Sequence, residues 1–291
     1  MHCNLANRPS NFIGMKPKIK ILILSIFNHT EIYDEFYKKN MEYLDTLTRH
    51  RTYVMDNVKF YYVKASPECN AASLDEVGRM ITVPGTESWC PGILKKTLAS
   101  FQYVHSVPIM FDYLVRTNVS TFINIEELYN ELLQVHCAHS LDALDPFARH
   151  KYIALGHISK LQHMNHGYGL NDETIRLYYN QHFFQGVCII INYELFQELV
   201  EKSSYSINTN IVDDVEIGRF IFSHDLYNNP NKKILYTLDL QKRMVSYYTS
   251  EADAQRPFIF CNNRYKSNRY ADLNNFHNVC YEHIRNISNI V

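Results

Sequence analysis

The sharpest ionisable feature of the sequence is the adjacent pair Asp213-Asp214, followed by Val215-Glu216-Ile217-Gly218. Acids ahead of an apolar-periodic run mark a helix N-terminus, where carboxylates satisfy free amides and complement the macrodipole. A carboxylate at the mouth of a site also suits general-base work, taking a proton from a hydroxyl nucleophile. The two roles are compatible: one Asp caps while its neighbour faces a cleft. Arg264, Lys266 and Arg269 form a basic cluster in a polar stretch near the C-terminus. Alone, such a cluster is an ordinary solvated surface. Facing a cleft it becomes a diphosphate clamp, because guanidinium forks match phosphate oxygens. His157, His163 and His166 lack a compact ligand spacing with carboxylates, which argues for loop histidines rather than a metal centre.

Several chemistries are excluded by pattern. The glycines at 85, 92, 167, 169 and 186 make neither G-x-G-x-x-G nor a P-loop, and no G-x-S-x-G elbow occurs. The 7 cysteines are widely spread without a C-x-x-C pair, as expected of free thiols in a reducing compartment. A net charge of -1 gives no general attraction to nucleic acid or anionic membrane. The longest apolar run, Ile19–Phe27, is interrupted by Lys20 and Ser25 and is far shorter than the ~20 residues of a membrane span. A soluble protein of the cytoplasm is expected.

The elements that must position these residues alternate in type. Ile19–Phe27 is a nearly all-apolar strand of the kind found at the centre of a parallel sheet, and Glu31–Arg49 a helix. Val58–Val63 is a second strand and Met80–Val83 a third; Pro91 then opens a helix over Ile93–His105. Phe111–Ser120 reads as a buried strand that ends in small polar groups, before a helix at Ile125–Gln134. Open α/β sheets bind ligands at the carboxyl ends of their strands, so 111–124 is the first place to look for a site. The pattern loosens from Cys137 to Asp172. It resumes with a strand at Gly186–Asn192, helices at Tyr193–Lys202 and Asp213–Phe222, a strand at Lys233–Leu240 and a last helix around Leu273–Ile287. The expected fold is α/β, one domain over 19–291 behind a flexible segment 1–18, with a loop-rich C-terminal half.

Four stretches in this order resemble the β1,3-galactosyltransferase and fringe branch of the GT-A glycosyltransferases, in the divergent form carried by large DNA viruses. Ile93-Leu-Lys-Lys-Thr-Leu98 is similar to a family helix, and Tyr113–Asn124 to the strand that carries the family's metal motif. Phe183–Asn192 resembles the aromatic-glycine strand before the acceptor helix, and Asp213–Gly218 the motif E-D-V-x-x-G. The resemblance implies a GT-A, Rossmann-like fold with a mixed, mostly parallel sheet: a nucleotide-sugar half (19–135) and an acceptor half with a basic C-terminal segment (136–291). The implied reaction is inverting transfer of a hexose from a nucleotide sugar, with a UDP-sugar favoured, to a glycan or protein hydroxyl. It assigns Asp214 as general base and Asp213 as its supporting acid. Ser25, Phe27, Lys96, Arg116, Asn118, Ser120, Arg264, Lys266 and Arg269 would border the nucleotide sugar. Trp89, Phe184 and Gly186 would wall the sugar and acceptor. A viral protein would act in the host cytoplasm or the virion.

One departure is large. Where the family carries Asp-x-Asp, this chain has Asn118-Val119-Ser120. Hard divalent cations prefer carboxylate oxygens, so affinity for Mn2+ or Mg2+ falls steeply. Three outcomes follow: a metal-independent enzyme whose basic residues neutralise the diphosphate, which we favour because Asp214 is retained; a weak metal site through Asn118; or a relative that binds without transferring, including a structural protein.

Overall fold

The computed structural model describes residues 18–27, 30–88, 92–142, 152–161, 176, 178–206, 211–222, 235–245, 258–263 and 268–288. Its centre is an 8-stranded sheet of order β3-β4-β2-β1-β5-β8-β7-β9. The strands are β1 (Ile21–Ile26), β2 (Val58–Ser66), β3 (Ser73–Asp75), β4 (Met80–Pro84) and β5 (Tyr113–Asn118), then β7 (Tyr152–Lys160), β8 (His182–Asn192) and β9 (Leu235–Asp239). β4, β2, β1 and β5 run parallel, whereas β8 is antiparallel to both β5 and β7. A 3-stranded sheet joins β6 (Thr121–Ile123) to β11 (Phe260–Asn262) and β11 to β10 (Met244–Val245). This is the mixed sheet flanked by helices that the resemblance implies.

β1 is buried at every residue, which is why its sequence is apolar on both faces. Alternate residues feed two cores. Ile21, Ile23 and Phe27 pack with α1 (Glu31–His50) and the last helix, α7 (Arg269–Ser288). Leu22, Leu24 and Ile26 pack with α3 (Gly92–Ser106), α5 (Tyr193–Ser206) and α6 (Asp213–Ile221). The short α2 (Thr52–Met55) leads into β2, and α4 (Ile125–Asp142) follows β6. On α3 the stripe that faces the sheet is Leu94, Thr97, Leu98, Phe101 and Val104, with Ile93 at its margin.

The order 4-2-1-5 reverses at β1, so the crevice at the carboxyl ends of β1 and β5 is the topological switch point, where open α/β sheets bind ligands. The expected strand 111–120 divides here. β5 stops at Asn118, and a tight turn at 119–120 sends the chain into β6 of the small sheet. The loose region 137–172 holds the end of α4 and a further strand, β7, whose ladder to β8 shifts register between Gly156 and Ile158. The last helix starts at Arg269, earlier than its apolar spacing suggests, because Asn268 Oδ1 accepts the amides of Tyr270 and Ala271 at 3.1 Å each. The N-terminal segment 1–17 lies outside the described residues.

Candidate functional site

The candidate site is a set of charged side chains at the junction of β5, β8, α3 and α6. Arg116 points from β5 into the α3/α6 side of the sheet and is 1% exposed. Its Nη2 meets Asp213 Oδ2 at 2.6 Å, and its Nη1 donates to the Gly186 carbonyl. Thr97 Oγ1, from α3, donates to the same Asp213 oxygen at 2.9 Å. Asp213 is therefore saturated within the protein. Its other oxygen accepts the Asp214 amide at 3.0 Å.

Asp214 is the half-buried member of the pair. Its Oδ2 accepts the Gly186 amide at 3.0 Å and its Oδ1 the Val215 amide at 2.9 Å. Burial pushes its carboxyl up, the Asp213 charge adds to this, and Arg116 and the two amides only partly offset the rise, leaving it at about 6. A base poised there is charged at neutral pH yet still binds a proton usefully, as general-base catalysis requires. Both acids lie in the first turn of α6 and accept amides, as a helix terminus favours, and Asp214 is the less buried of the two.

Two glycines permit this approach. A Cβ on Gly186 would come within 3.1 Å of Arg116 Nη1 and 3.2 Å of Asp214 Oδ2, crowding the two groups that its backbone holds. A Cβ on Gly218, the last residue of the acidic motif, would meet Phe183 at 2.5 Å, so only glycine lets α6 lie against β8.

The other residues expected at the nucleotide are placed as follows. Ser25 lies near the end of β1 and Phe27 just beyond it, but both side chains are buried; Phe27 packs on Tyr37 and Tyr62, and its amide donates to Val63 O at 2.9 Å. Lys96 is buried and donates to the Phe27 carbonyl at 2.7 Å and to Glu87 Oε2 at 2.5 Å. Burial pushes its ammonium pKa down, and Glu87 offsets this only in part. Arg116 is engaged with Asp213 rather than exposed as a charge beside a leaving group. Phe184 is fully buried against Phe222 and is core, not a sugar-facing wall. Arg269 sits in the first turn of α7, not in a loop; it donates to Asp272 at 2.7 Å and to the Tyr33 hydroxyl. Trp89, Arg264 and Lys266 lie outside the described residues.

The turn at 118–120 does not fit a divalent cation. Its side-chain donors are one amide and one hydroxyl, and the Ser120 side chain is buried. Its backbone is committed as well: the Val119 amide donates to Ile26 O at 3.1 Å, and Ser120 O accepts the Asn263 amide at 3.2 Å. Neutral oxygens without a carboxylate give a hard cation little to bind. Among the described residues no three His, Cys, Asp or Glu side chains are grouped to hold a metal.

Reading the residues singly left out Thr97 and Glu87. Thr97 belongs to the helix stretch 93–98, but only the packing of α3 on α6 shows that its hydroxyl reaches Asp213. Glu87 lies in the 86–88 loop, which carries no motif.

No family model matches the chain, and no curated protein matches it in sequence. Among solved structures it is similar to a crystal structure of a glycosyltransferase involved in the glycosylation of the major capsid of PBCV-1, at 11% identity and a TM-score of 0.47. That similarity covers 88% of this chain and 98% of the other. No described helix is long and apolar enough to cross a membrane.

Proposed function

We propose that this protein is an inverting glycosyltransferase that moves a hexose from a nucleotide sugar, with a UDP-sugar favoured, to a hydroxyl of a glycan or protein, without a divalent metal. The observation that carries this reading is the Asp214 carboxylate. It is half-buried, fixed by two backbone amides, raised to about 6, and backed by a buried Arg116–Asp213 pair. In the reaction, Asp214 takes the proton of the acceptor hydroxyl as its oxygen bonds to the anomeric carbon. The bond from that carbon to the diphosphate oxygen breaks, and its electron pair leaves with the nucleoside diphosphate. Asp213, Thr97 and Arg116 are positioning residues that hold the turn carrying Asp214.

The diphosphate charge needs neutralising where no carboxylate-held cation is available. Arg264 and Lys266 are the residues we assign to this, because guanidinium and ammonium groups match phosphate oxygens. Arg269, engaged on Asp272 and Tyr33, has a supporting place in α7. The loss of both carboxylates at 118 and 120 favours a second reading, a protein that binds a nucleotide sugar without transferring it. Transfer is tested by incubating the protein with UDP-, GDP- and CMP-sugars and candidate acceptors, and following nucleotide release and the anomeric configuration of the product. Retained configuration sinks the single-displacement mechanism; binding without release favours the second reading.

A further inference from the structure

The parallel ladder between β1 and β2 is broken at its carboxyl end by an ion pair. The Phe27 amide donates to Val63 O at 2.9 Å. In a regular parallel ladder the next bond returns from the Ala65 amide to the Phe27 carbonyl. Both groups are diverted instead. The Ala65 amide donates to Glu87 Oε1 at 2.7 Å, and the Phe27 carbonyl accepts Lys96 Nζ at 2.7 Å. Glu87 Oε2 and Lys96 Nζ close the arrangement at 2.5 Å. A side-chain pair from the 86–88 loop and α3 thus stands where one rung of the sheet would be.

The local chain is shaped for this insertion. After β4, Gly85 adopts a φ of 134°, and its amide donates to Ser66 O at 3.2 Å, which turns the chain back over the end of β2. The Lys96 side chain is 1% exposed and that of Glu87 is 23% exposed. Replacing a neutral rung by a charged pair carries a desolvation cost that can exceed its Coulombic gain, so stability is weak grounds for its presence. The break also lies beside the switch point, at the carboxyl end of β1, where Ser25 and Phe27 are expected to border the nucleotide sugar.

We propose that Glu87 and Lys96 are a positioning pair that props the ends of β1 and β2 apart and so sets the slot for the flat base of a nucleoside diphosphate. The inference rests on the nucleotide-sugar reading. It predicts that the pair affects recognition of the base and leaves recognition of the diphosphate alone. It also differs from an alternative in which Glu87 masks Lys96 as a stand-in for phosphate.

The experiment is isothermal titration of the full chain with UDP and, separately, with inorganic pyrophosphate. Wild type should bind UDP more tightly than pyrophosphate. Glu87→Asp keeps the charge but is one methylene too short to hold both partners; its UDP affinity should fall about tenfold while pyrophosphate affinity stays put. The double variant Glu87→Gln/Lys96→Gln retains a donor and an acceptor without charge, and its UDP affinity should return to within about threefold of wild type. Unchanged UDP binding in Glu87→Asp overturns the prop, and tighter pyrophosphate binding in that variant shows masking instead. If Glu87→Asp fails to fold, the double variant decides: a loss of UDP affinity of about tenfold or more overturns the proposal. If wild type binds UDP no better than pyrophosphate, or binds neither, the nucleotide reading itself fails.

Discussion

Two ion pairs on the same side of the sheet solve opposite problems. Arg116–Asp213 joins groups from β5 and α6 whose side chains are 1% and 3% exposed, and it ties backbone together: the guanidinium holds the Gly186 carbonyl and the Asp213 carboxylate accepts the next amide in α6. Lys96–Glu87 does the reverse, since it stands between two strands and takes over the amide and carbonyl that would bond to each other. A buried ion pair is weak evidence for stability, because desolvation consumes much of the Coulombic gain. The contrast locates its use. One pair fixes a turn that carries a carboxylate; the other interrupts a regular ladder at the carboxyl end of β1.

The largest effect is expected on removing the group that the first pair holds in place. Asp214→Asn should lower the transfer rate by roughly 10²–10⁴-fold while leaving UDP affinity unchanged, measured by initial rates and titration calorimetry. A variant that still turns over at the wild-type rate removes Asp214 from the mechanism. Next, Arg116→Met leaves Asp213 buried without its counter-charge and should cost about 3–5 kcal/mol in denaturant unfolding. The double variant Arg116→Met/Asp213→Leu should recover most of that loss, since no charge is then stranded.

The pH profile separates the two roles of the acidic turn. Activity should rise with pH through about 6 as Asp214 ionises. Stability runs the other way. The folded pKa of Asp214 lies above the ordinary 3.8, so its protonated form contributes stability that is fully present below 3.8 and is lost as pH rises through about 6. Asp214→Asn should therefore melt higher than wild type at pH 8 and lose that advantage by pH 4. A variant less stable than wild type at pH 8 would show that the carboxylate is held chiefly for the fold. Smaller effects are expected at the leaving group: Arg264→Gln and Lys266→Gln should each weaken UDP binding about tenfold, with a flatter salt dependence. The smallest effect is that of chelation. EDTA should change the transfer rate by less than about twofold, because the 118–120 turn offers no carboxylate; a large loss would sink the metal-free reading.

Much of the parallel half was legible because burial there is symmetrical. A strand covered on both faces is apolar nearly throughout, as Ile21–Ile26 is apart from Ser25. β7 gave none. It mixes Tyr152 and Leu155 with Gly156, His157 and Ser159, and it bulges between Gly156 and Ile158, which destroys any period. The division of 111–124 between two sheets turns on residues 119–120, too short a break to register in hydropathy. At the site, the acidic pair and its glycine were visible as a motif. The fates of Arg116 and Lys96 were not, because a cation in a sequence carries no sign of whether its partner is solvent, ligand or a carboxylate far along the chain. Phe184 looked available for the same reason: alternation in β8 does not reveal that α6 covers it.

The hydrogen bond from Thr97 to Asp213 spans 116 residues of sequence, and that from Arg116 to the Gly186 carbonyl spans 70. Such closures are slow, since loop entropy must be overcome before the contact rewards it. During synthesis the first part of the sheet leaves the ribosome with the Arg116 guanidinium unanswered. It stays so until β8 and then α6 have been made. The acidic turn at the head of α6 is therefore completed late, and a chain that stops short of Asp213 leaves the buried Arg116 guanidinium without its carboxylate partner.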